Sequence, residues 1–316
     1  MTRGLSENES YNQYFTVRSK CPACNHTESK VIYERSFLQE PIVKFLERKL
    51  RPEVIKNYDG ASYVLRKCNH CALIYQEQIL TDEGLNLLYD KWLFEGDTEE
   101  IKISEIEKFL FYTQELLRVR RFFKKPVTEI KILDYGMGQG KWCSVAHAIG
   151  FNVTGTDLSN QLIEKSKEKG FAVVPLNELN QYKFDFINTE QVFEHLSQPL
   201  DTLIRLKEML SENGIIKISV PNGNHVEKKI PNMDWTAPRG HKNLLIPITP
   251  SIHINAYSYD SIIKMGEAAG LKPVNASILS EYTILSALSI KDLIKSLLRP
   301  IYWRYIKHTY VFLQKK

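Results

Sequence analysis

A glycine-rich turn between a strand and a helix limits the folds open to this sequence more than any other segment. Residues 132–140 read ILDYGMGQG, in which three glycines follow an apolar run at alternate positions. The next residues, KWCSVAHAIG, have the pattern of a helix. Glycine lets the backbone approach a ligand closely, and the N-terminus of a helix offers free N–H groups. The unit therefore predicts an α/β fold with a ligand site at the turn.

The segments after this turn alternate between strand and helix patterns. FNVTGTD, FAVVPL, FDFINT and GIIKISVPN are typical of strands, and helix patterns over 159–170 and 199–210 lie between them. Such alternation favours a parallel sheet with helices on both faces. Residues 271–279 and 309–313 predict two further strands. The long irregular segment 221–257 is of the kind that builds sites beyond the strand ends.

Two acidic residues indicate which ligand suits the turn. Asp134 stands two residues before Gly136, and Asp157 closes the next strand nineteen residues after Gly138. An acid at the end of the second strand can hold the hydroxyls of a ribose. A carboxylate at Asp134 repels a pyrophosphate but attracts the ammonium and sulfonium groups of S-adenosylmethionine. The sequence therefore favours S-adenosylmethionine and leaves an NAD-dependent oxidoreductase as an alternative.

The same residues resemble the motifs of the class I S-adenosylmethionine-dependent methyltransferases. LDYGMGQG resembles their first motif, TGTDLS their acidic second motif, and FDFINTEQVFEHLSQP a segment of the enzymes that act on small molecules. The resemblance implies a Rossmann-like α/β sheet of seven strands, mostly parallel, with a terminal antiparallel hairpin from 271–279 and 309–313. It also implies that the cofactor is held by Asp134, Tyr135, Gly136, Gly138, Gly140, Asp157 and Leu158.

Four of the five cysteines form two C-x-x-C pairs, Cys21–Cys24 and Cys68–Cys71, and Cys143 stands apart. The polar N-terminal residues predict no secretory signal, so we expect a cytoplasmic protein whose paired cysteines bind metal instead of forming disulfides. Four thiolates suit a structural zinc ion, and iron is left open. CPAC and KCNHCALIY resemble the N-terminal zinc-binding module of a methyltransferase branch that acts on sugars in surface-polysaccharide and antibiotic pathways.

Methyl transfer to a hydroxyl needs a general base within hydrogen-bond reach of that hydroxyl. The candidate histidines are His195, His225, His241 and His253. His253 matches an E-H-x-x-[FY]-like motif of the sugar branch and lies in the segment predicted to face the acceptor, with Ile252 in place of the motif's acid. His195 follows Glu194 after the fourth strand, near the predicted cofactor. We therefore predict His253 and His195 as the catalytic residues.

These features predict that the chain is divided into three parts. Residues 1–80 form the predicted zinc-binding module, 81–126 a helical linker, and 127–316 the S-adenosylmethionine-binding domain, with the substrate loop at about 221–257. The predicted reaction is methylation of a small-molecule or sugar acceptor, as a nucleotide-sugar or lipid-linked glycan. Oxygen is the expected methylated atom, and carbon is left open.

Charge bears on the partners and on the alternatives. A net charge of +5, without basic residues clustered at the cysteine pairs, argues against nucleic acid. The alternatives are a zinc-ribbon RNA or protein methyltransferase and a non-catalytic binding protein with a methyltransferase fold. No apolar run reaches the ~18 residues of a membrane-spanning helix. The basic, aromatic tail over 291–316 predicts either a weak peripheral membrane contact or a solvated helix packed on the sheet.

Overall fold

Two larger sheets and one short strand pair organise the chain. The computed structural model describes residues 12–93, 103–238, 241–274 and 308–316, together with Ile294 and Leu298. The strands are β1 (Phe15–Val17), β2 (Ser29–Ser36), β3 (Ser62–Cys68), β4 (Ile74–Gln76), β5 (Gln78–Leu80), β6 (Lys131–Tyr135), β7 (Asn152–Thr156), β8 (Ala172–Val173), β9 (Phe184–Glu190), β10 (Leu210–Pro221), β11 (Asn255–Ala256), β12 (Leu271–Pro273) and β13 (His308–Lys315). The α-helices are α1 (Ile42–Lys49), α2 (Asp82–Leu87), α3 (Ile103–Phe123), α4 (Lys141–Ile149), α5 (Asn160–Lys167), α6 (Pro199–Glu208), α7 (Val226–Lys229) and α8 (Tyr259–Ala268). Short 3₁₀ helices lie at Pro52–Tyr58, Val127–Glu129, Leu176–Gln181, Phe193–His195 and Ile230–Asn232, and a π-helical turn at Leu88–Trp92.

The larger sheet has seven strands in the order β12-β13-β10-β9-β6-β7-β8. Strands β10, β9, β6, β7 and β8 pair in parallel, and β13 pairs antiparallel with both β10 and β12. This confirms the predicted seven-stranded α/β sheet with a terminal antiparallel pair. Residues 275–279 of the predicted penultimate strand lie outside the described residues.

Apolar side chains on both faces of the central strands explain why helices cover the sheet on each side. In β9, every residue from Phe184 to Thr189 is buried. The apolar sides of α4 and α3 pack in one cluster with Ile132 and Phe186, and α6 and α8 contribute to a second cluster. The parallel arrangement brings the carboxyl ends of β6, β7 and β9 to one edge, where α/β proteins bind ligands.

A buried ion cluster joins α3 to this sheet. Lys217 on β10 is 2% exposed, and its Nζ lies 2.6 Å from Glu115 Oε2 and 2.7 Å from Glu190 Oε2. Glu115 belongs to α3 and also accepts a hydrogen bond from Trp142 Nε1 at 3.0 Å. Two carboxylates around one ammonium compensate charges that would be costly to bury singly.

The smaller sheet joins distant parts of the sequence. Its strand order is β11-β4-β3-β2, all antiparallel, so residues 255–256 at the end of the predicted substrate loop complete a sheet built otherwise from residues 29–76. Trp235 from the same loop is 4% exposed and packs edge-on against Tyr63 at 5.3 Å between ring centroids. The loop is therefore packed onto the N-terminal sheet.

Within the described ranges, no helix is both long enough and apolar enough to cross a bilayer. Most of the predicted basic tail over 291–316 lies outside the described residues, and its last part forms β13.

Candidate active site

The turn after β6 adopts a backbone that requires glycine. Gly136, Gly138 and Gly140 have φ values of 79°, 53° and 68°, in the left-handed region. A Cβ on Gly136 would lie 2.6 Å from a methyl group of Val192, and one on Gly140 would lie 2.8 Å from the ring of Phe171. A Cβ on Gly138 would have no atom within 4 Å, so at this position only the positive φ requires glycine.

Asp157 is fastened to this turn. Its Oδ2 accepts a hydrogen bond from Gly138 N at 2.9 Å, and its Oδ1 accepts one from Ser159 N at 3.0 Å. The next residue, Leu158, is 68% exposed, which leaves a free apolar surface beside the acid. Tyr135 differs from the other predicted cofactor residues, because its side chain packs on the apolar core that includes α6.

An open cleft of about 210 Å³ lies in front of the turn. It is lined by Tyr112, Asp134, Gly136, Met137, Gln139, Lys141, Trp142, Asn188 and Glu190. Asp134 is 3% exposed, and its Oδ1 accepts a hydrogen bond from Asn188 Nδ2 at 2.8 Å. Burial raises the pKa of Asp134 to about 7. The structure describes no hydrogen-bond partner for the buried Asn188 Oδ1. A carboxyl that loses its proton near neutrality, beside an unpaired acceptor, fits a cationic ligand group such as the ammonium of S-adenosylmethionine.

The four predicted metal-binding cysteines form one group. The sulfur atoms of Cys21 and Cys71 are 3.5 Å apart, those of Cys24 and Cys68 are 3.6 Å apart, and all four lie within 4.8 Å of one another. These separations exclude disulfides, for which about 2.05 Å is needed. They match a tetrahedron of thiolates around zinc, where Zn–S bonds of about 2.3 Å place sulfurs about 3.8 Å apart. The donor set therefore fits a structural zinc ion.

His195 and His253 come together, although 57 residues separate them. Their ring centroids are 4.7 Å apart, in an edge-to-face arrangement. His195 Nδ1 lies 2.8 Å from Ile252 O and 3.0 Å from the hydroxyl of Tyr89, and His253 Nδ1 lies 2.6 Å from Ile246 O. Both residues are partly exposed.

These contacts fix the protonation of both rings. A carbonyl oxygen only accepts, so each Nδ1 must carry a hydrogen, and in the neutral ring Nε2 then has the lone pair. Burial lowers the pKa of His195 to about 3 and also lowers the pKa of His253. Both imidazoles are therefore neutral at pH 7, each with an unprotonated Nε2.

Glu194 forms a third cluster of polar side chains together with His195 and His253. It is fully buried, and within the described ranges neither carboxylate oxygen has a hydrogen-bond partner. Burial raises its pKa well above the ordinary value. Atoms of Glu194, His195 and His253 lie within 4.8 Å of one another, so this group also has the composition of a metal-binding site. His225 and His241, the other candidate bases, are both exposed.

Sequence reasoning missed several side chains at these sites. Tyr89, on the π-helical turn after α2, contacts His195 through its hydroxyl. The pKa of Tyr89 is raised, mainly by desolvation and to a smaller extent by the negative charges of Glu194 and Asp157. Tyr112 and Asn188 line the cleft. Asn188 follows the β9 pattern and could have been found from its place near the strand end, whereas no local pattern marks Tyr89.

Comparisons with known proteins agree with this architecture. A family described as "Methyltransferase domain" matches residues 108–276, more than half of the chain. The ubiquinone biosynthesis O-methyltransferase of mitochondria from Schizosaccharomyces pombe is 29% identical over 140 residues, which are 40% of this chain and 49% of that protein. The chain thus matches about half of the length of this relative.

Solved structures also resemble this chain. A TehB-like methyltransferase from Corynebacterium glutamicum has a TM-score of 0.40 at 18% identity, over 64% of this chain and 88% of that one. An S-adenosylmethionine-dependent methyltransferase from Clostridium acetobutylicum has a TM-score of 0.45 at 10% identity, over 66% and 92% respectively.

Proposed function

We propose that this chain, which belongs to the methyltransferase-domain family, transfers a methyl group from S-adenosylmethionine to a hydroxyl oxygen of a small-molecule acceptor. We take a sugar, carried on a nucleotide or a lipid, as the acceptor class. The observation that carries the proposal is the pair of neutral imidazoles, each with a free Nε2 lone pair, on the turn that follows the cleft-lining strand β9 and on the loop packed against it. The O-methyltransferase from fission yeast supports oxygen as the methylated atom.

The cleft supplies the groups that would hold the cofactor. Asp134 and Asn188 Oδ1 suit the α-ammonium group, and Asp157 suits the hydroxyls of the ribose. When bound, S-adenosylmethionine supplies an electrophilic methyl group on a positively charged sulfur. Burial disfavours the ionised form of Asp134 and so raises its pKa. A bound cation would lower that pKa again, because it stabilises the carboxylate. The left-handed backbone at Gly136, which lines the cleft, would hold the turn in the form that faces the ligand.

The histidines divide the remaining work. A pKa of about 3 makes His195 a poor proton acceptor, so we assign the general base to His253. Its Nε2 would take the proton of the acceptor hydroxyl, while the hydrogen bond from Nδ1 to Ile246 O holds the ring in the required tautomer. His195 and Tyr89 would orient the acceptor through their polar atoms.

The cysteine group has a structural role in this proposal. Zinc held by Cys21, Cys24, Cys68 and Cys71 would stabilise the N-terminal sheet, to which the loop with His253 is attached. The proposed division keeps 1–80 as the zinc-binding module, 81–126 as the linker and 127–316 as the cofactor domain.

A substrate screen tests the function. The purified protein, S-adenosylmethionine and a panel of nucleotide-sugars and lipid-linked sugars would be incubated, and S-adenosylhomocysteine and a methyl gain on the acceptor would be followed by mass spectrometry. We expect His253→Asn to lower kcat by about 10²–10⁴-fold with unchanged cofactor affinity. His241→Asn, at an exposed position, is the matched control. Full turnover by His253→Asn would remove the base role, and a panel without any methylated product would refute the acceptor class.

A further inference from the structure

The loop that carries His253 is fastened to the N-terminal sheet. Strand β11 starts two residues after His253 and pairs with β4, with Asn255 opposite Tyr75 and Ala256 opposite Ile74. The backbone N–H of Gln76 donates to Ile254 O at 3.0 Å, which extends the ladder by one bond. The N-terminal sheet thus holds the chain on one side of the histidine.

The side chain of Gln76 binds the residues that precede His253 in the loop, and His253 itself. Gln76 is fully buried, and its Nε2 donates to Thr249 O at 2.8 Å and to His253 O at 3.1 Å. Its Oε1 accepts a hydrogen bond from Ser251 N at 3.2 Å, where Ser251 has a φ of 60°. One buried amide therefore satisfies three backbone groups of the five residues 249–253, in a turn that a non-glycine residue adopts at a cost.

Arg18 joins the same region from the N-terminal side. Its Nε and Nη2 donate to Gln76 O, its Nη2 also to Ile254 O at 3.0 Å, and its Nη1 to Asn255 Oδ1 at 2.9 Å. In the part of the chain that the structure describes, every acceptor of this guanidinium is a carbonyl oxygen. Desolvation lowers the pKa of Arg18 to about 10. The planar fork of its donors fixes the positions of Gln76, Ile254 and Asn255 relative to one another.

Asn255 links the Arg18 contacts to the turn that carries His195. Because Arg18 fixes the amide oxygen, the Nδ2 of Asn255 points the other way and donates to Phe193 O at 3.1 Å and Leu196 O at 2.7 Å. Ile254 N also donates to Glu194 O at 2.8 Å. The 3₁₀ turn Phe193–His195 is thereby bound to the same two residues, 254 and 255, that Arg18 contacts.

We infer that Arg18 and Gln76 are positioning residues that hold His253 against His195, so that the N-terminal sheet sets the geometry of the histidine pair. This inference rests on the proposed function for its catalytic meaning. It also assigns a purpose to the sheet beyond carrying the cysteine group: β4 is the template on which the loop 249–256 is ordered. Neither residue touches the cofactor cleft, so their loss should alter the histidines and leave the cleft intact.

The tautomers of the two rings provide a test that needs no acceptor. Imidazole ¹H–¹⁵N spectra of the full-length protein at neutral pH would be recorded for the wild type, Arg18→Gln, Gln76→Glu and Arg66→Gln, with the histidine signals assigned from single His variants. Gln76→Glu keeps the shape of the side chain but cannot donate to both Thr249 O and His253 O, because even a protonated carboxyl has a single O–H. Arg66 is the matched control, since it lies on the neighbouring strand β3 and its ion pair is with Glu77. Calorimetric titration with S-adenosylhomocysteine reports on the cleft in each protein.

We expect the wild type and Arg66→Gln to show Nδ1–H tautomers for His195 and His253. Arg18→Gln and Gln76→Glu should show mixed or Nε2–H tautomers, with S-adenosylhomocysteine affinity within twofold of the wild type. Nδ1–H tautomers that persist in both folded variants would overturn the inference. So would a joint loss of the tautomers and of cofactor binding in both variants, because the geometry would then depend on the fold as a whole. If the wild type shows the tautomers but binds no S-adenosylhomocysteine, the proposed function fails, and the spectra of the variants still decide the positioning role.

Discussion

Asp134→Asn replaces the buried acid of the cleft beside the glycine turn by a neutral side chain of the same shape. Burial raises the pKa of Asp134 from 3.8 to about 7, so the folded protein binds this proton more tightly than the unfolded chain does. Stability from this group is fully present below pH ~4 and is lost as the pH rises through about 7. At about 1.4 kcal/mol per pH unit, a pKa difference of about three units corresponds to at most about 4 kcal/mol at pH 8.

The asparagine keeps an oxygen to accept the hydrogen bond from Asn188 Nδ2, so little packing is lost. We expect the free energy of unfolding at pH 8 to be about 2–4 kcal/mol higher in Asp134→Asn than in the wild type, with a smaller gain at pH 5. The same change should weaken the binding of S-adenosylmethionine at pH 8 at least about tenfold, because a hydrogen bond to a charged partner is worth about 1.5–3 kcal/mol. Urea unfolding at both pH values and calorimetric titration measure the two effects.

Asp201→Asn, at an exposed position on α6, is the control and should change neither quantity. The reasoning would be refuted if Asp134→Asn were equally or less stable than the wild type at pH 8. A gain of the same size at pH 5 and pH 8 would also refute it, because the effect would then not arise from ionisation.

Three other substitutions test separate parts of the structure. Gly136→Ala should weaken S-adenosylhomocysteine binding by about 1–3 kcal/mol in calorimetry, because its φ of 79° is strained for alanine and its Cβ would meet a valine methyl at 2.6 Å. Lys217→Met should lower the free energy of urea unfolding by about 3–5 kcal/mol, since Glu115 and Glu190 lose their shared cation. Cys21→Ser should abolish stoichiometric zinc in atomic emission and expose the N-terminal sheet to limited proteolysis. Unchanged affinity of Gly136→Ala would contradict the first prediction, and unchanged stability of Lys217→Met the second. Retained metal with native protease resistance in Cys21→Ser would contradict the third.

The sequence predicted the larger sheet well because its signals are local. The run ILDYG, its glycine turn and Asp157 each lie within a few residues of the structure they specify, and the parallel order follows from the alternation of strands and helices. The two C-x-x-C pairs predicted a common site for the same reason: each pair forms a turn of its own, and a tetrahedral metal requires two such pairs.

Contacts between distant segments could not be read in the same way. Two residues, 255 and 256, pair with β4, and so short a segment has no strand periodicity to detect. Lys217 lies within an apolar strand pattern, where a lysine indicates an exposed position. It is buried instead, and its charge is compensated by the carboxylates of Glu115 and Glu190 from other elements. Tyr89 reaches His195 across 106 residues. Such side chains are specified by tertiary packing, which no local spacing records.

Calorimetric binding of S-adenosylmethionine, S-adenosylhomocysteine and NAD to the purified protein tests the central claim most directly. With Asp134 proposed to hold the ammonium group and Asp157 the ribose, beside a turn that requires glycine, we expect micromolar affinity for the first two ligands and none for NAD. Binding of NAD in place of S-adenosylmethionine, or no binding of any of the three, would contradict the account.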